Sequence, residues 1–382
     1  MQITIKITPL ILSAVFCATA LHANANTVDS QSYSQPISTK LQPLAEFYPQ
    51  PSNRSQIGYG AWSELLGDII LFMGPSTRTP YRAPIRETGT RLNRTHASPF
   101  RLEGNKVLYP HMRSNVKTAI RDYVSELESI SNRTTISAMP RNEQLAYWIN
   151  LHNAIVIREV MDHYPGPKRR PENIKPIPNS DETLHAAKLI TINGVSLSLQ
   201  DIRERIVYPN WKNPDVAMAF YLGDSSSPSL SNEAYNATQL SQQLKNNAEL
   251  YANSLRGMDK GKVSRIYHDI APWYFPNFSA DLETYFQKRM RTEVFDEYVK
   301  AGYRGVNRYD NVVNDITAGF GERGRQRLAV SSDPNALTLG RDVAAFLNDR
   351  AEKIETLRKK PWFKRGTVTI IDIETEDGRE VE

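Results

Sequence analysis

Three consecutive serines are the residues of this sequence with the clearest potential for chemistry. They lie in the segment GDSSSPSL (residues 223–230), directly after the apolar run at residues 216–222, which predicts a buried strand. A serine hydroxyl attacks an amide or ester bond only when an adjacent base takes its proton. Serines in this setting are also typical of a tight turn at the end of a buried strand. The sequence therefore leaves two interpretations open, a nucleophile and a polar turn.

Histidines are the candidate general bases. His163 or His268 could activate a serine if the fold brings one of them within hydrogen-bond reach. His163 also lies near the end of a predicted helix, where the helix C-terminus stabilises an imidazolium, so a capping role is the favoured alternative. No histidines show a metal-ligand spacing such as H-E-x-x-H, and we predict neither a metal nor a cofactor.

The strongest predicted element is a helix that begins near Asn142 and ends at Pro165. At about 100° per residue, Glu143 and Asn150 fall within about 20° of each other, and Asn153 lies about 80° from Glu143. Apolar residues cover most other sides, so the helix is buried and its polar side chains need partners inside. The favoured interpretation is that the asparagines tie loops to the helix. The alternative is a cleft in which Glu143 orients a ligand or exchanges a proton.

Several motifs occur in an order that resembles the domain of unknown function 547 family. They are NEQLAYWINLHNAIVIREVMDHYP, ITINGVSLSLQDIRERI, GDSSSPSL, AYNATQLSQQL and IYHDIAPWYF, which span roughly residues 110–300. The resemblance implies a fold similar to papain- or transglutaminase-like proteins, and it implies no settled activity.

The chain departs from the family pattern where thiol chemistry might reside. Family members typically have two cysteines around the serine segment and often a histidine early in the preceding strand, whereas this chain has Leu222, Ser227 and Ala217 there. Ser227 is therefore the candidate replacement for a thiol nucleophile, with His163 as the base and Glu143 as a further catalytic candidate.

Two functional hypotheses follow from these residues. The first is a chemically degenerate binding protein whose cleft holds a ligand or partner through Asn150, Asn153, Ser225 and Ser226. The alternative is a hydrolase or transferase that acts on amide or ester bonds through Ser227. Whether the protein is an enzyme at all stays open at this point.

The first 25 residues have the pattern of a secretory signal. Lys6 precedes an apolar stretch at residues 7–21, which is too short for a membrane span, and small residues at 23–25 suit a signal peptidase. Cleavage near Ala25 would remove Cys17, the only cysteine, and with it any disulfide or thiol nucleophile. We expect a periplasmic or secreted protein without a membrane-spanning segment after signal removal.

The formal net charge is +5, but basic residues are scattered among acidic ones. This distribution does not favour a nucleic-acid partner, and we expect instead an envelope ligand or protein.

Helices alternate with a few short strands, which predicts an α+β fold that is mainly helical with a small antiparallel sheet. A hairpin is predicted at residues 189–195, followed by a capping box at residues 198–201 that opens a helix. The predicted order is a signal peptide (1–25), a polar leader (26–60), the main α+β domain (61–300) and a C-terminal extension with a helix and a strand (301–382).

Overall fold

Helices make up most of the regular structure in the computed structural model, which describes residues 41–50, 57–82, 98–163, 170–317 and 341–363. The predicted signal peptide and the predicted C-terminal strand at residues 367–373 lie outside these ranges. Within these ranges, no helix combines the length and the hydropathy needed to cross a bilayer.

The elements follow one another in a mixed order along the chain. The helices are α1 (Gly60–Ile69), α2 (Ser114–Ile130), α3 (Arg141–Asp162), α4 (Tyr208–Asn210), α5 (Leu240–Ala252), α6 (Arg265–Asp269), α7 (Ala271–Tyr274), α8 (Phe278–Arg289), α9 (Thr292–Ala301) and α10 (Arg341–Arg358). The strands are β1 (Ile70–Leu71), β2 (Lys106–Val107), β3 (Lys188–Ile192), β4 (Val195–Ser198), β5 (Met258–Asp259) and β6 (Lys262–Val263). The strands form three two-stranded antiparallel sheets, β1–β2, β3–β4 and β5–β6. The α+β prediction is therefore confirmed, with helices predominating.

Helix α3 lies at the centre of the main hydrophobic core. Apolar residues on several sides of this helix have no exposed surface. They are Trp148, Ile149, Leu151, Ile155 and Ile157. Helix α2 packs along it. A helix that is apolar nearly all round can be stable only in such an interior position, as the sequence predicted.

The β3–β4 hairpin turns at Asn193 and Gly194, which both have positive φ. This backbone matches the right-handed twist of paired strands and suits asparagine followed by glycine. A reciprocal capping box follows, because Asp201 N donates to Ser198 Oγ (3.1 Å) and Ser198 N donates to Asp201 Oδ2 (2.8 Å). The helix that follows is a π-helix, Asp201–Val207.

The apolar run at residues 216–222 is not the strand that its composition suggests. It begins as a 3₁₀-helix, Pro214–Ala219, and becomes extended only at Phe220. Pro214 favours a helical start, and the Asn213 side chain accepts a hydrogen bond from Asp215 N. The run is buried without lying in a sheet, so its composition alone was misleading.

Residues beyond α9 return to the main core. Val313 forms an antiparallel bridge with Asp224, and Asp315 forms a parallel bridge with Val107 of β2. Residues 313–315 therefore lie between β2 and the serine segment. Helix α10 packs against a smaller apolar cluster through Val343 and Phe346. The domain boundary at residue 300 stays a prediction, but contacts within the described ranges cross it.

Candidate functional site

The three serines lie in a tight turn, here called the serine turn (residues 223–229). The carboxylate of Asp224 shapes it, because Oδ1 accepts hydrogen bonds from Ser226 N (2.9 Å) and Ser227 N (2.8 Å). Gly223 has φ +91°, and a Cβ there would lie 3.1 Å from the ring of Pro171. The turn therefore needs an acid followed by small residues and a glycine before it.

Asp224 is buried and is also bound from the C-terminal side of the chain. Tyr309 donates its hydroxyl to Asp224 Oδ2 at 2.8 Å. Burial raises the pKa of Asp224 to about 6, although the hydrogen bonds from Tyr309, Ser227 and Ser226 oppose the shift. One oxygen of the carboxylate thus holds the backbone of the turn, and the other oxygen binds Tyr309.

The serine hydroxyls point into the protein. Ser227 has no exposed surface, and its Oγ donates to Asp224 O (2.8 Å), with a longer contact to Pro228 O (3.4 Å). Ser226 Oγ accepts from Asp310 N at 2.5 Å. The Oγ of Ser225 is buried and has no hydrogen-bond partner among the described residues. The hydroxyl of Ser227 thus makes the hydrogen bonds of a turn, whereas the hydroxyl of Ser226 joins the turn to the distant segment at Asp310.

Arg256 binds the carbonyl side of the serine turn. Its Nη1 donates to Ser227 O (2.6 Å) and Ser225 O (3.4 Å), and its Nη2 donates to Ser229 Oγ (3.0 Å). Only 2% of Arg256 is exposed. Sequence reasoning missed this residue, since a single arginine in the loop between α5 and β5 carries no recognisable motif.

The structure does not bring the three predicted catalytic residues together. His163 directly follows the last residue of α3, and its Nδ1 lies 3.0 Å from Glu159 O, in a capping position. His268 Nε2 contacts the hydroxyl of Tyr303 at 3.1 Å. Within the part of the chain that the structure describes, none of the hydrogen bonds of Ser227 goes to an imidazole or to Glu143.

The predicted polar stripe of α3 binds backbone groups of neighbouring segments. Asn150 donates to Tyr235 O (2.7 Å) and accepts from Tyr235 N (3.0 Å). Asn153 donates to Ala219 O (2.9 Å) and accepts from Tyr221 N (3.0 Å). Both amides thus hold extended chain against α3.

Glu143 begins the same stripe near the start of α3. Its carboxylate accepts a short hydrogen bond from Ile57 N, and only 2% of the residue is exposed. Burial raises the pKa of Glu143, whereas the hydrogen bond from Ile57 opposes the shift. Glu143 ties the segment before α1 to the core.

A cluster of Arg203, the buried His152 and the partly buried His185 lies next to the serine turn, and sequence reasoning missed it. Arg203 Nη1, from the π-helix, lies 2.7 Å from His152 Nε2 and 3.3 Å from His185 Nδ1. Because arginine only donates, both nitrogens must accept, and the ring protons lie on the opposite nitrogens. Those protons face Asn153 Oδ1 and Leu222 O. The cluster therefore holds neutral imidazoles against the chain that enters the turn.

The environment of these two histidines opposes their protonation. Burial and the adjacent Arg203 lower the pKa of His185 to about 3, and they place the pKa of His152 well below its ordinary value. A general base must hold the proton that it accepts. Neither imidazole is suited to that role near neutral pH, because its protonated form is disfavoured.

A small polar pocket adjoins the serine turn at Ser229. Its cavity volume is about 10 Å³, which is room for about one water molecule. Its polar walls come from Ser76, Glu103, Asn105, Ser229, Ser254 and Arg256. In the described ranges, no three His, Cys, Asp or Glu side chains are grouped as metal ligands.

Comparison with known proteins finds a family match for part of the chain. Residues 136–252 match a family model described as "Protein of unknown function, DUF547". The matched range contains α3, the β3–β4 hairpin, the π-helix, the serine turn and α5. No curated protein and no solved structure matches the chain.

Proposed function

Because residues 136–252 match the DUF547 family model, we propose that this chain is an exported member of that family that binds an envelope ligand or partner without catalysing a reaction. The observation that carries the proposal is the position of Ser227. Its hydroxyl is fully buried and donates to the backbone of its own turn. A nucleophile needs a base within hydrogen-bond reach and access to substrate.

The replaced family positions support the same proposal. Leu222 and Ala217 stand where the family resemblance implies a cysteine and a histidine. Leu222 O now accepts a hydrogen bond from His185 Nε2 at 3.1 Å, and Ala217 is buried in the core. Leu222 and Ala217 thus have structural roles, in a backbone hydrogen bond and in the core. Such roles do not require the protein to be an enzyme.

Export is the second part of the proposal, and it rests on the sequence of the first 25 residues. Expression of the full chain in a bacterial host, followed by N-terminal sequencing of the protein from the periplasm or medium, would test it. We expect a first residue at or near Asn26. Recovery of the chain from the cytoplasm with Met1 intact would contradict export.

The absence of catalysis is tested by labelling with a fluorophosphonate, which reacts with activated serines. The mature chain and its Ser227→Ala variant are treated in parallel, with an active serine hydrolase as the positive control. We expect no labelling of either chain, because the Ser227 hydroxyl is buried and makes no hydrogen bond to an imidazole or a carboxylate among the residues that the structure describes. Labelling of the unmodified chain that disappears in Ser227→Ala would instead establish the hydrolase or transferase alternative.

A further inference from the structure

Exposed apolar side chains are concentrated in one short segment of the chain. Six large apolar side chains in the described ranges are exposed, and half of them lie at the end of α9 and directly after it. They are Val299 (53% exposed), Tyr303 (42%) and Val306 (41%). Single exposed apolar residues are normal on a protein surface, whereas a group of them indicates a contact surface.

Basic residues alternate with these apolar ones. We call residues 299–308 the basic–apolar segment, and it contains no aspartate or glutamate. Its basic residues, Lys300, Arg304 and Arg308, are all exposed. Within the described ranges Lys300 and Arg304 form no ion pair, and Arg308 has a contact of 3.7 Å with Asp310. The cations of this segment are therefore available to an anionic partner.

The β5–β6 hairpin adds two lysines beside the segment. Its tip lies against the end of α9, because a Cβ at Gly261 would lie 2.1 Å from Gly302 O. Arg304 N also donates to Gly261 O at 2.7 Å. Lys260 and Lys262 flank this glycine and are exposed. Five cationic side chains thus lie on adjoining segments of the backbone.

Few carboxylates in the same elements oppose these cations. Glu293 and Glu297 of α9 are each paired with an arginine at 2.9 Å. Asp259 and Asp296 form no ion pair within the described ranges, and Asp259 is partly buried. Because five cations outnumber two unpaired carboxylates, the surface attracts anions.

Tyr303 is held in place at this surface. Its hydroxyl lies 3.1 Å from His268 Nε2, and its ring meets that of Phe278 edge to face, with the centroids 5.8 Å apart. His268 in turn stacks on Phe278 with the centroids 4.2 Å apart. The ordered ring therefore loses little conformational entropy when it contacts a partner.

The mixture of apolar and basic groups indicates the chemistry of the partner. A dissolved polyanion such as a nucleic acid would neutralise the cations, but it would leave Val299 and Val306 in water. A bilayer with anionic phospholipids presents phosphates to the lysines and arginines and an apolar boundary to the valines. Tyrosine is enriched at that boundary, because its ring is apolar and its hydroxyl is polar.

We propose that the basic–apolar segment and the adjoining β5–β6 hairpin dock on a membrane surface that contains anionic phospholipids. Val299, Tyr303 and Val306 enter the headgroup region, and the five cations lie at lipid phosphates. This inference rests on the proposed binding function and identifies its envelope partner as a lipid surface.

The test is flotation of the mature chain (residues 26–382) with lipid vesicles. One preparation contains equal amounts of phosphatidylglycerol and phosphatidylcholine, and the other contains phosphatidylcholine alone. We expect binding to the anionic vesicles to be about tenfold tighter than to the neutral ones, and most of it to be lost at about 0.5 M NaCl. Absence of binding to the anionic vesicles, or equal binding to the neutral vesicles, would overturn the inference.

Arg304→Glu tests the basic part of the surface. It should weaken binding to anionic vesicles about tenfold, because it replaces a cation at the lipid phosphates by an anion. Arg133→Glu, an exposed residue after α2, is the matched control with the same change of net charge and should bind as the unmodified chain does. Equal weakening by the two substitutions would show that net charge alone drives binding and would overturn the docking surface.

Val299→Ser combined with Val306→Ser tests the apolar part. The double variant keeps all five cations, and we expect about fivefold weaker vesicle binding because the two valines no longer gain from burial. A labelled DNA duplex is the polyanion control. DNA binding as tight as vesicle binding, together with full vesicle binding by the double variant, would assign the surface to a dissolved polyanion and overturn the lipid partner. Near-ultraviolet circular dichroism checks that each variant is folded, and if Arg304→Glu is not, the two vesicle types and the double variant still decide the inference.

The inference and the proposed function can fail separately. Fluorophosphonate labelling at Ser227 would overturn the non-catalytic function, whether or not the chain binds vesicles. A lack of vesicle binding in an exported, unlabelled protein would overturn only the lipid surface as its partner.

Discussion

At the scale of single residues, the amides of α3 hold the chain that leads into the serine turn. Asn153 makes two hydrogen bonds to the backbone at Ala219 and Tyr221, and a third contact to His152 Nδ1 at 3.1 Å. All of these groups are buried, so water cannot replace the amide if it is removed.

Asn153→Ala should lower the free energy of unfolding by about 2–4 kcal/mol, because it leaves buried backbone donors and acceptors unpaired. Urea denaturation followed by circular dichroism measures the change. Asn246→Ala, on the exposed face of α5, is the control and should change the free energy by less than about 0.5 kcal/mol. Equal effects of the two substitutions would contradict a tethering role for Asn153.

At the scale of elements, the serine turn depends on a segment far along the sequence. Asn314 N donates to Gly223 O (2.9 Å), and Ser225 N donates to Val312 O (2.9 Å). On its other side this segment pairs with β2, where Val107 N donates to Asn314 O (3.1 Å). Residues 312–315 therefore complete the backbone pairing of the turn.

A chain that ends after Thr317 should stay folded, whereas one that ends after Lys300 should not. The chain that ends after Lys300 loses residues 312–315, so the backbone of the turn and of β2 is left without its hydrogen-bond partners. The chain that ends after Thr317 keeps these residues and loses mainly the contacts of α10 with the small apolar cluster. Cooperativity of urea unfolding and near-ultraviolet circular dichroism distinguish the two. Similar cooperative unfolding of both chains would show that residues 301–317 are dispensable.

At the scale of the whole molecule, the histidines that contact Arg203 link stability to pH. The folded-state pKa values of His152 and His185 lie below the ordinary value of 6.5. The unfolded chain therefore binds protons below about pH 6.5 that the folded chain does not. The contribution of these two histidines to the free energy of unfolding is therefore fully present above about pH 6.5 and is lost as the pH falls below it. Asp224 acts oppositely, because its raised pKa of about 6 adds stability as pH falls through 6.

His185→Gln isolates one of these contributions, since glutamine can still donate to Leu222 O and accept from Arg203. The free energy of unfolding should fall between pH 7.5 and pH 5.5 by about 1 kcal/mol more in the unmodified chain than in the variant. Urea titrations at both pH values, each with both proteins, measure this difference. A pH dependence that is the same in the two chains would contradict a neutral His185 in the folded protein.

The sequence by itself determined the elements whose signals are local. The apolar pattern of α3 predicted a buried helix, the Asn193–Gly194 pair fits its tight turn, and the Ser198–Asp201 capping box placed the start of the next helix. The family motifs also predicted the DUF547 region that residues 136–252 match. Each of these signals lies within a few residues or on one helix face. Residue propensities and the periodicity of apolar residues determine local structure over that range.

Only the tertiary structure decided what surrounds the serines. Ser226 contacts Asp310, which is 84 residues away, and Arg256 reaches the same turn from beyond α5. Composition predicted a strand before the turn. In the structure, the backbone there forms hydrogen bonds to the side chain of Asn153 of α3 and not to a neighbouring strand. Contacts over such separations depend on how the elements pack, and no local pattern encodes them. For that reason the residue types suggested chemistry, whereas packing determined which hydroxyls, carboxylates and guanidinium groups remain available for it.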